Sequence, residues 1–380
     1  MNDPLHSNDP FFIALQVVPA LATGGVGVGK TSIGLAINAK LKRRSVLFIS
    51  SQNSAEDIGG FPSPDISDGV VKMLPPFWFE TLREPGGAFV ADEVTTSDAH
   101  QRAPLLSLFT EGKVGQYFAS KDTLFYGFCN PPELAPNGSP LEPAMCNRFF
   151  HWNWKMDTQA WLDGVLDPIN PLIWAVPDFP IVPSDWREML GKWATMVGEF
   201  LRSHGNLYET VPRDGEMAFA SYRTWTMAMK CLAAADAAGQ EMFSNNTMVR
   251  ALVAGCVGEN NANQFVQWKK ERDLVNIEDL LDGDVTFKHN DSRPDVTLCV
   301  AAGVTSVICN KSKFSPERWD RAAAIIGKIG TECSPEIALK HNAKLRQAAV
   351  MNNYSPKAAA LKPLLALMST IDELMAKGGA

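Results

Sequence analysis

The chemistry this sequence announces first lies in the run Gly24-Gly-Val-Gly-Val-Gly-Lys-Thr-Ser32, which holds Gly24, Gly25, Gly27, Gly29, Lys30, Thr31 and Ser32. Such a glycine-rich loop turns successive backbone N–H groups inward and cradles the phosphates of a nucleotide. Lys30 would reach the β- and γ-oxygens, and the Thr31 hydroxyl would sit on Mg2+. Residues 32–40 have helical apolar spacing, so the phosphates would also meet the positive end of a helix. The competing reading is a flexible glycine turn. An apolar strand before the loop and a helix after it weigh against that.

Two carboxylates follow about 60 residues on, in Gly87-Ala-Phe-Val-Ala-Asp92-Glu93. Hydrolysis needs one carboxylate at the C-terminal end of a strand to orient the metal, and a base to position water. Asp92 fits the first role and Glu93 the second. The bland alternative is a strand that ends in solvated acids. Asn130, in Cys129-Asn-Pro-Pro132, could hydrogen-bond a γ-phosphate and the water, although Asn-Pro alone is a common turn signal. Arg148 leads into an apolar run, where an arginine is usually a surface residue.

These residues need a scaffold, and residues 12–150 provide its pattern. Strand-like apolar runs occur at 12–23, 45–50, 88–91, 123–128 and 149–152, separated by helix-like segments. That βαβ rhythm indicates a parallel sheet covered on both faces. Two stretches interrupt it. Residues 51–82 are long and rich in Gly, Pro and Asp, and 115–122 reads as a hairpin turn. A Pro-rich connection spans 167–183. Beyond it the pattern is helical, with Ser184 or Asp185 capping one helix and Ser221 another. Further helices are expected at 248–257, 260–272, 315–329 and 334–352. A terminal helix carries the apolar stripe Leu364, Leu367, Met368, Ile371, Leu374 and Met375.

Taken in order, the motifs GGVGVGKTS, FVADEV, TTSDAHQRAPLLSLFTEGKVG, FCNPPE and LEPAMCNRF resemble the AAA+ ATPases, and among them the MoxR type. FASYRTWTMAMKCL is similar to the family's Ser-Pro-Arg segment in the lid, and LVAGCVGENNANQF to its C-terminal pattern. The resemblance covers about residues 14–275. It implies an α/β fold: a P-loop AAA+ core with a parallel sheet flanked by helices, then an all-helical lid and a C-terminal helical region. The corresponding division is core 1–155, linker or insert 156–184, lid 185–285 and extension 286–380. ATP and Mg2+ are the implied ligands, the ion held by Thr31 and Asp92. Asn130 becomes the sensor, Arg148 an arginine finger reaching a neighbouring subunit's nucleotide, and Arg223 the lid sensor; with Glu93 these form the catalytic set. The family assembles as rings, typically hexamers, and often works with a von Willebrand factor A partner on a protein client. By the same resemblance the insert at 51–82 faces the ring's centre.

The chain departs from the family pattern at four places. Thr95-Thr96 stands where Asn-Arg is usual, Cys146-Asn147 where Leu-Asp is usual, and Tyr222 where Pro precedes the lid arginine. Pro104 falls inside an expected helix and should kink it.

The rest of the composition narrows the class. A net charge of −7 over 380 residues gives no electrostatic reason to bind nucleic acid. The one basic run, residues 40–44, falls at a helix end, where cations satisfy terminal carbonyls. Seven scattered cysteines without CxxC spacing point to reduced, buried thiols in a cytoplasmic protein. Six dispersed histidines show no metal cluster. The N-terminus lacks the regions of a signal peptide, and the apolar stretch 296–309 is too short to span a bilayer. The leading expectation is a Mg2+-dependent ATPase that remodels a client in a chaperone-like manner. A nucleic-acid motor or loader and an ATP-switched assembly module are the alternatives.

Overall fold

The computed structural model describes residues 8–65, 67–135, 138–166, 178–271, 276–288, 294–358, 360–362 and 364–365. Most of the Pro-rich connection (167–177) and Leu367, Met368, Ile371, Leu374 and Met375 of the terminal stripe lie outside the described residues. The strands, in chain order, are β1 (Ala20–Thr23), β2 (Arg44–Ile49), β3 (Phe61–Asp65), β4 (Val70–Leu74), β5 (Gly87–Asp92), β6 (Lys113–Val114), β7 (Tyr117–Phe118), β8 (Leu124–Cys129) and β9 (Phe150–Asn153).

Five of these form one sheet in the order β2-β5-β8-β1-β9, and every neighbouring pair is parallel. The register aligns Thr23 with Cys129 and Asn153, and Ile49 with Asp92. The C-terminal ends of all five strands therefore share one edge. Successive side chains point to opposite faces, and both faces are apolar. Phe89, Ala91 and Cys129 join a core with Leu105, Phe109 and Phe149 on one side. Tyr126 and Phe128 meet Phe11 on the other. The helix Lys30–Lys40 lies over that second face. Gly34 is needed there, because a Cβ would come within 2.8 Å of the Phe128 ring. The buried Tyr126 hydroxyl donates to the Gly34 carbonyl or to Asn38, each 2.8 Å away. This is the α/β core with a parallel sheet flanked by helices that the sequence leads one to expect, and helices follow it.

By packing, the chain forms two compact units, and neither is one run of sequence. The sheet unit comprises residues 1–181, 208–231 and 250–262; the helical unit comprises 182–207, 232–249 and 263–380. The span 185–285, grouped as a lid from sequence, contributes to both. In the helical unit Pro294–Cys309 packs with Leu190–Ser203, Pro316–Glu332 and Pro335–Met351. No helix among the described residues is long and apolar enough to cross a membrane.

Several local expectations change. The apolar run 12–23 is not one strand: Pro10 starts a helix at Asp9–Ala14, and β1 begins only at Ala20. The hairpin expected at 115–122 starts earlier, as β6 and β7 around Gly115. The insert 51–82 holds its own hairpin, β3 with β4. Neither Ser184 nor Asp185 caps a helix with its side chain: a 3-10 turn over Trp186–Met189 leads into Leu190–Ser203 instead. Ser221 does cap, accepting from the Thr224 N–H, and Ser315 and Ser334 cap the two helices after them. The helix Ala99–Glu111 runs on through Pro104 and is held at its start by a capping box of Asp98 and Gln101. Two cations of the basic run are paired, Lys40 with Asp178 and Arg43 with Asp122, and Arg44 donates to the Pro85 carbonyl.

Candidate nucleotide site

The loop between β1 and the helix Lys30–Lys40 carries the site. Gly27 and Gly29 have φ of +76° and +69°, a region that other residues rarely enter. This backbone keeps the loop open. Among the described residues the N–H groups of residues 25–32 have no acceptor, whereas Gly24 donates to Cys129 and Ile33 to Gly29. A run of unpaired donors at a helix N-terminus is an anion cradle. Trp154, just past β9, holds the loop from outside. Its indole N–H donates to the Val28 carbonyl at 3.2 Å, and Gly24 packs so closely on it that a Cβ would lie 3.1 Å from the tryptophan.

Lys30 is only 8% exposed. Its ammonium donates to the carbonyls of Gly24 (3.0 Å) and Gly25 (2.6 Å) and to Asn130 Oδ1 (2.7 Å). Burial pulls its pKa below the usual lysine value, and the nearby Asp92 and Cys129 partly offset this. The Thr31 hydroxyl donates to Asp92, itself buried at the end of β5. A hydroxyl and a carboxylate side by side offer the hard oxygens that Mg2+ takes together with phosphate. The free donors and these oxygens thus fit a Mg2+-bound polyphosphate.

Glu93 follows Asp92 in a left-handed conformation, φ +55°. For a non-glycine residue that is strained backbone, which clusters at functional sites. Its carboxylate accepts from the Ser51 hydroxyl, and its carbonyl accepts from Thr96 N–H (2.9 Å) and Thr96 Oγ1 (2.7 Å). Asn130 is held from behind, because Thr95 Oγ1 donates to its carbonyl at 3.0 Å. The pair Thr95-Thr96, which departs from the family pattern, therefore braces both polar residues beside the loop.

The structure thus gathers Lys30, Thr31, Asp92, Glu93 and Asn130 at one edge of the sheet, beside the glycine loop and Ser32. Arg148 and Arg223 form a second group. The Arg148 guanidinium donates to Thr110 Oγ1 at 3.0 Å and to the Ala144 carbonyl, and Arg223 reaches Asn147 Oδ1 at 3.5 Å. Burial, with the charge of Arg223 added, lowers the pKa of Arg148. Among the described residues neither arginine has a carboxylate partner or a hydrogen bond to the Lys30 group. Sequence reading gave no role to Ser51 or Trp154, and named Thr95 and Asn147 only as departures from the family pattern. Only the parallel register of β2 on β5, with Ile49 beside Asp92, would have brought Ser51 to Glu93.

Fold and loop together define an α/β P-loop nucleotide-binding core. No protein-family model matches this chain, and no curated protein matches it either. Among solved structures, one similar chain is a crystal structure from Cytophaga hutchinsonii described as a "putative ATPase". It is 15% identical, with a TM-score of 0.42, over 70% of this chain and 88% of that one. At that score and identity the likeness carries no weight for function.

Proposed function

We propose that this chain is a Mg2+-dependent ATPase of the MoxR type of AAA+ proteins. It works in the cytoplasm as a ring, typically of six, and remodels or activates a protein client with a von Willebrand factor A partner. The observation that carries the reading is the convergence at one sheet edge. Beside a loop with eight N–H groups that lack an acceptor among the described residues, buried Lys30 meets Asn130, Thr31 meets Asp92, and Glu93 follows on strained backbone.

The roles follow from the partners each group already has. Lys30 exchanges two carbonyls for phosphate oxygens, while the loop N–H groups take the rest of the charge. Thr31 and Asp92 would hold Mg2+, which would supply Lewis-acid stabilisation of phosphate charge. Glu93, once free of Ser51, orients the attacking water and takes its proton. Asn130 fixes the γ-phosphate side. Arg148 and Arg223 are two guanidiniums without carboxylates, suited to phosphate charge lent across a subunit boundary.

A protein client is favoured by the two hairpins of the sheet unit. They abut, since a Cβ at Gly115 would strike Met73, and they expose Phe61, Val71 and Phe118. A nucleic-acid motor is disfavoured by the acidic balance. In the assembly-module reading, Glu93→Gln would lock the active state instead of abolishing work.

Mixing variants tests the ring. Arg148→Ala and Lys30→Ala proteins should each be inactive alone. Mixed under conditions of subunit exchange, they should regain part of the wild-type phosphate release, because one supplies the arginine and the other an intact pocket. A mixture as dead as its components would remove the shared-site reading.

A further inference from the structure

The helical unit holds a cavity of about 310 Å3, bounded by the helices Leu190–Ser203, Pro294–Cys309 and Pro335–Met351. Its floor is apolar, made by Leu298, Ala302 and Ile337. One buried polar group opens onto it. His341 is 9% exposed, and its Nδ1 lies 2.8 Å from the Thr305 hydroxyl. That hydroxyl is also 2.9 Å from the Ala301 carbonyl. A carbonyl can only accept, so Thr305 donates to Ala301 and accepts from His341 Nδ1–H. Nε2 is then a bare lone pair. It has no partner among the described residues, and it is not sealed off from solvent. Burial, reinforced by Lys344 and Lys340, pushes the imidazole pKa down to about 4, so the ring stays neutral and Nε2 an acceptor.

The rim is polarised. Glu336, Lys340 and Lys344 follow at four-residue steps along Pro335–Met351, so one face of that helix runs from negative to positive. None of the three has an ion-pair partner among the described residues. The Lys344 ammonium leans over Gly191, only 3.4 Å from where a Cβ there would lie, so a bare backbone faces it across the mouth. Two ammonium groups at one end, an apolar floor and the His341 Nε2 acceptor set the chemistry of an occupant. The volume is at the small end of the ~300–1,000 Å3 common for ligand pockets.

We propose that this cavity binds a small aliphatic α-hydroxy or α-amino acid. Its carboxylate meets Lys340 and Lys344, its branched body rests on Leu298, Ala302 and Ile337, and its α-substituent donates to His341 Nε2.

Three acids on one skeleton test this by calorimetry on the full chain: 2-hydroxy-4-methylpentanoate, leucine, and 4-methylpentanoate, which lacks the donor. At least one donor-bearing acid should bind about 5-fold more tightly than 4-methylpentanoate, and the tighter of the two identifies the source. Lys340→Gln with Lys344→Gln, both exposed positions, should weaken all binding about 5–10-fold and leave ATP turnover unchanged. His341→Phe should erase the preference for a donor while 4-methylpentanoate still binds. If that variant does not fold, the lysine variant and the three-acid ranking decide alone. No binding of any acid at ~10 mM, equal binding of all three, or indifference to the lysine changes would overturn the proposal.

Discussion

Lys30 in the sheet unit and Asp236 in the helical unit are both buried charges, and they are treated in opposite ways. Asp236 is committed. Lys192 sits 2.7 Å from one carboxylate oxygen and Lys313 3.1 Å from the other, and the Trp193 indole donates as well. Burial alone would raise its pKa, but the two lysines win and hold it below the usual carboxylate value. Lys30 has no such pairing. Its direct partners are two carbonyls and an amide oxygen, and burial lowers its pKa. A charge matched by opposite charges is structural, and removing one side leaves the others stranded. A charge held by neutral dipoles can exchange them for a more strongly charged ligand. The loop N–H groups, Glu93 on Ser51 and the two unpaired arginines follow the second rule. The cluster of Asp236, Lys313, Glu278 and Arg318 follows the first.

The contrast is broken most directly at Asp236. Asp236→Asn should cost about 3–5 kcal/mol, because Lys192, largely covered, loses its carboxylate partner and Lys313 keeps only Glu278. Denaturant unfolding would show it, and a loss under ~1 kcal/mol would mean that the cluster is not structural. Glu93→Gln should do the reverse: turnover down roughly 10²–10³-fold, with unfolding midpoint and ATP affinity nearly unchanged. Phosphate-release and binding assays on the same preparation separate the two.

The smallest effect is one the two units share. His151 in the sheet unit and His341 in the helical unit are both pushed by burial to a pKa of about 4. The unfolded chain binds protons near pH 6.5 while the fold resists until about 4. The unfolded state therefore holds more protons in that window, and stability falls as pH drops through it. Each histidine should contribute up to about 3 kcal/mol. Unfolding curves from pH 7 to 4, for wild type and for His151→Gln, should show a shallower acid loss in the variant. Equal slopes would mean that His151 does not stay neutral.

Local chemistry explains what the sequence revealed. The phosphate loop and the strand ending in Asp92-Glu93 are each specified within a few residues, by glycines that permit positive φ and by a continuous apolar run. Both could be read directly. Ser51 could not, because its contact with Glu93 depends on how β2 registers on β5, and a serine after a strand carries no signal of its own. Trp154 is similar: its hold on Val28 exists only because β9 lies beside β1. The run 12–23 misled because Phe12 and Ile13 are apolar enough for a strand, while Pro10 at the first turn favours the helix that forms. The hairpin β3–β4 was legible only as an interruption, since its strands carry Pro62 and Pro64 and expose much of their surface.

Equilibrium binding of Mg·ATP to wild-type and Lys30→Ala proteins bears most directly on the nucleotide site. The arrangement at the sheet edge predicts micromolar binding that weakens at least ~100-fold in the variant, with an unchanged unfolding midpoint. Equal affinity in the two proteins, or no binding by the wild type, would contradict it.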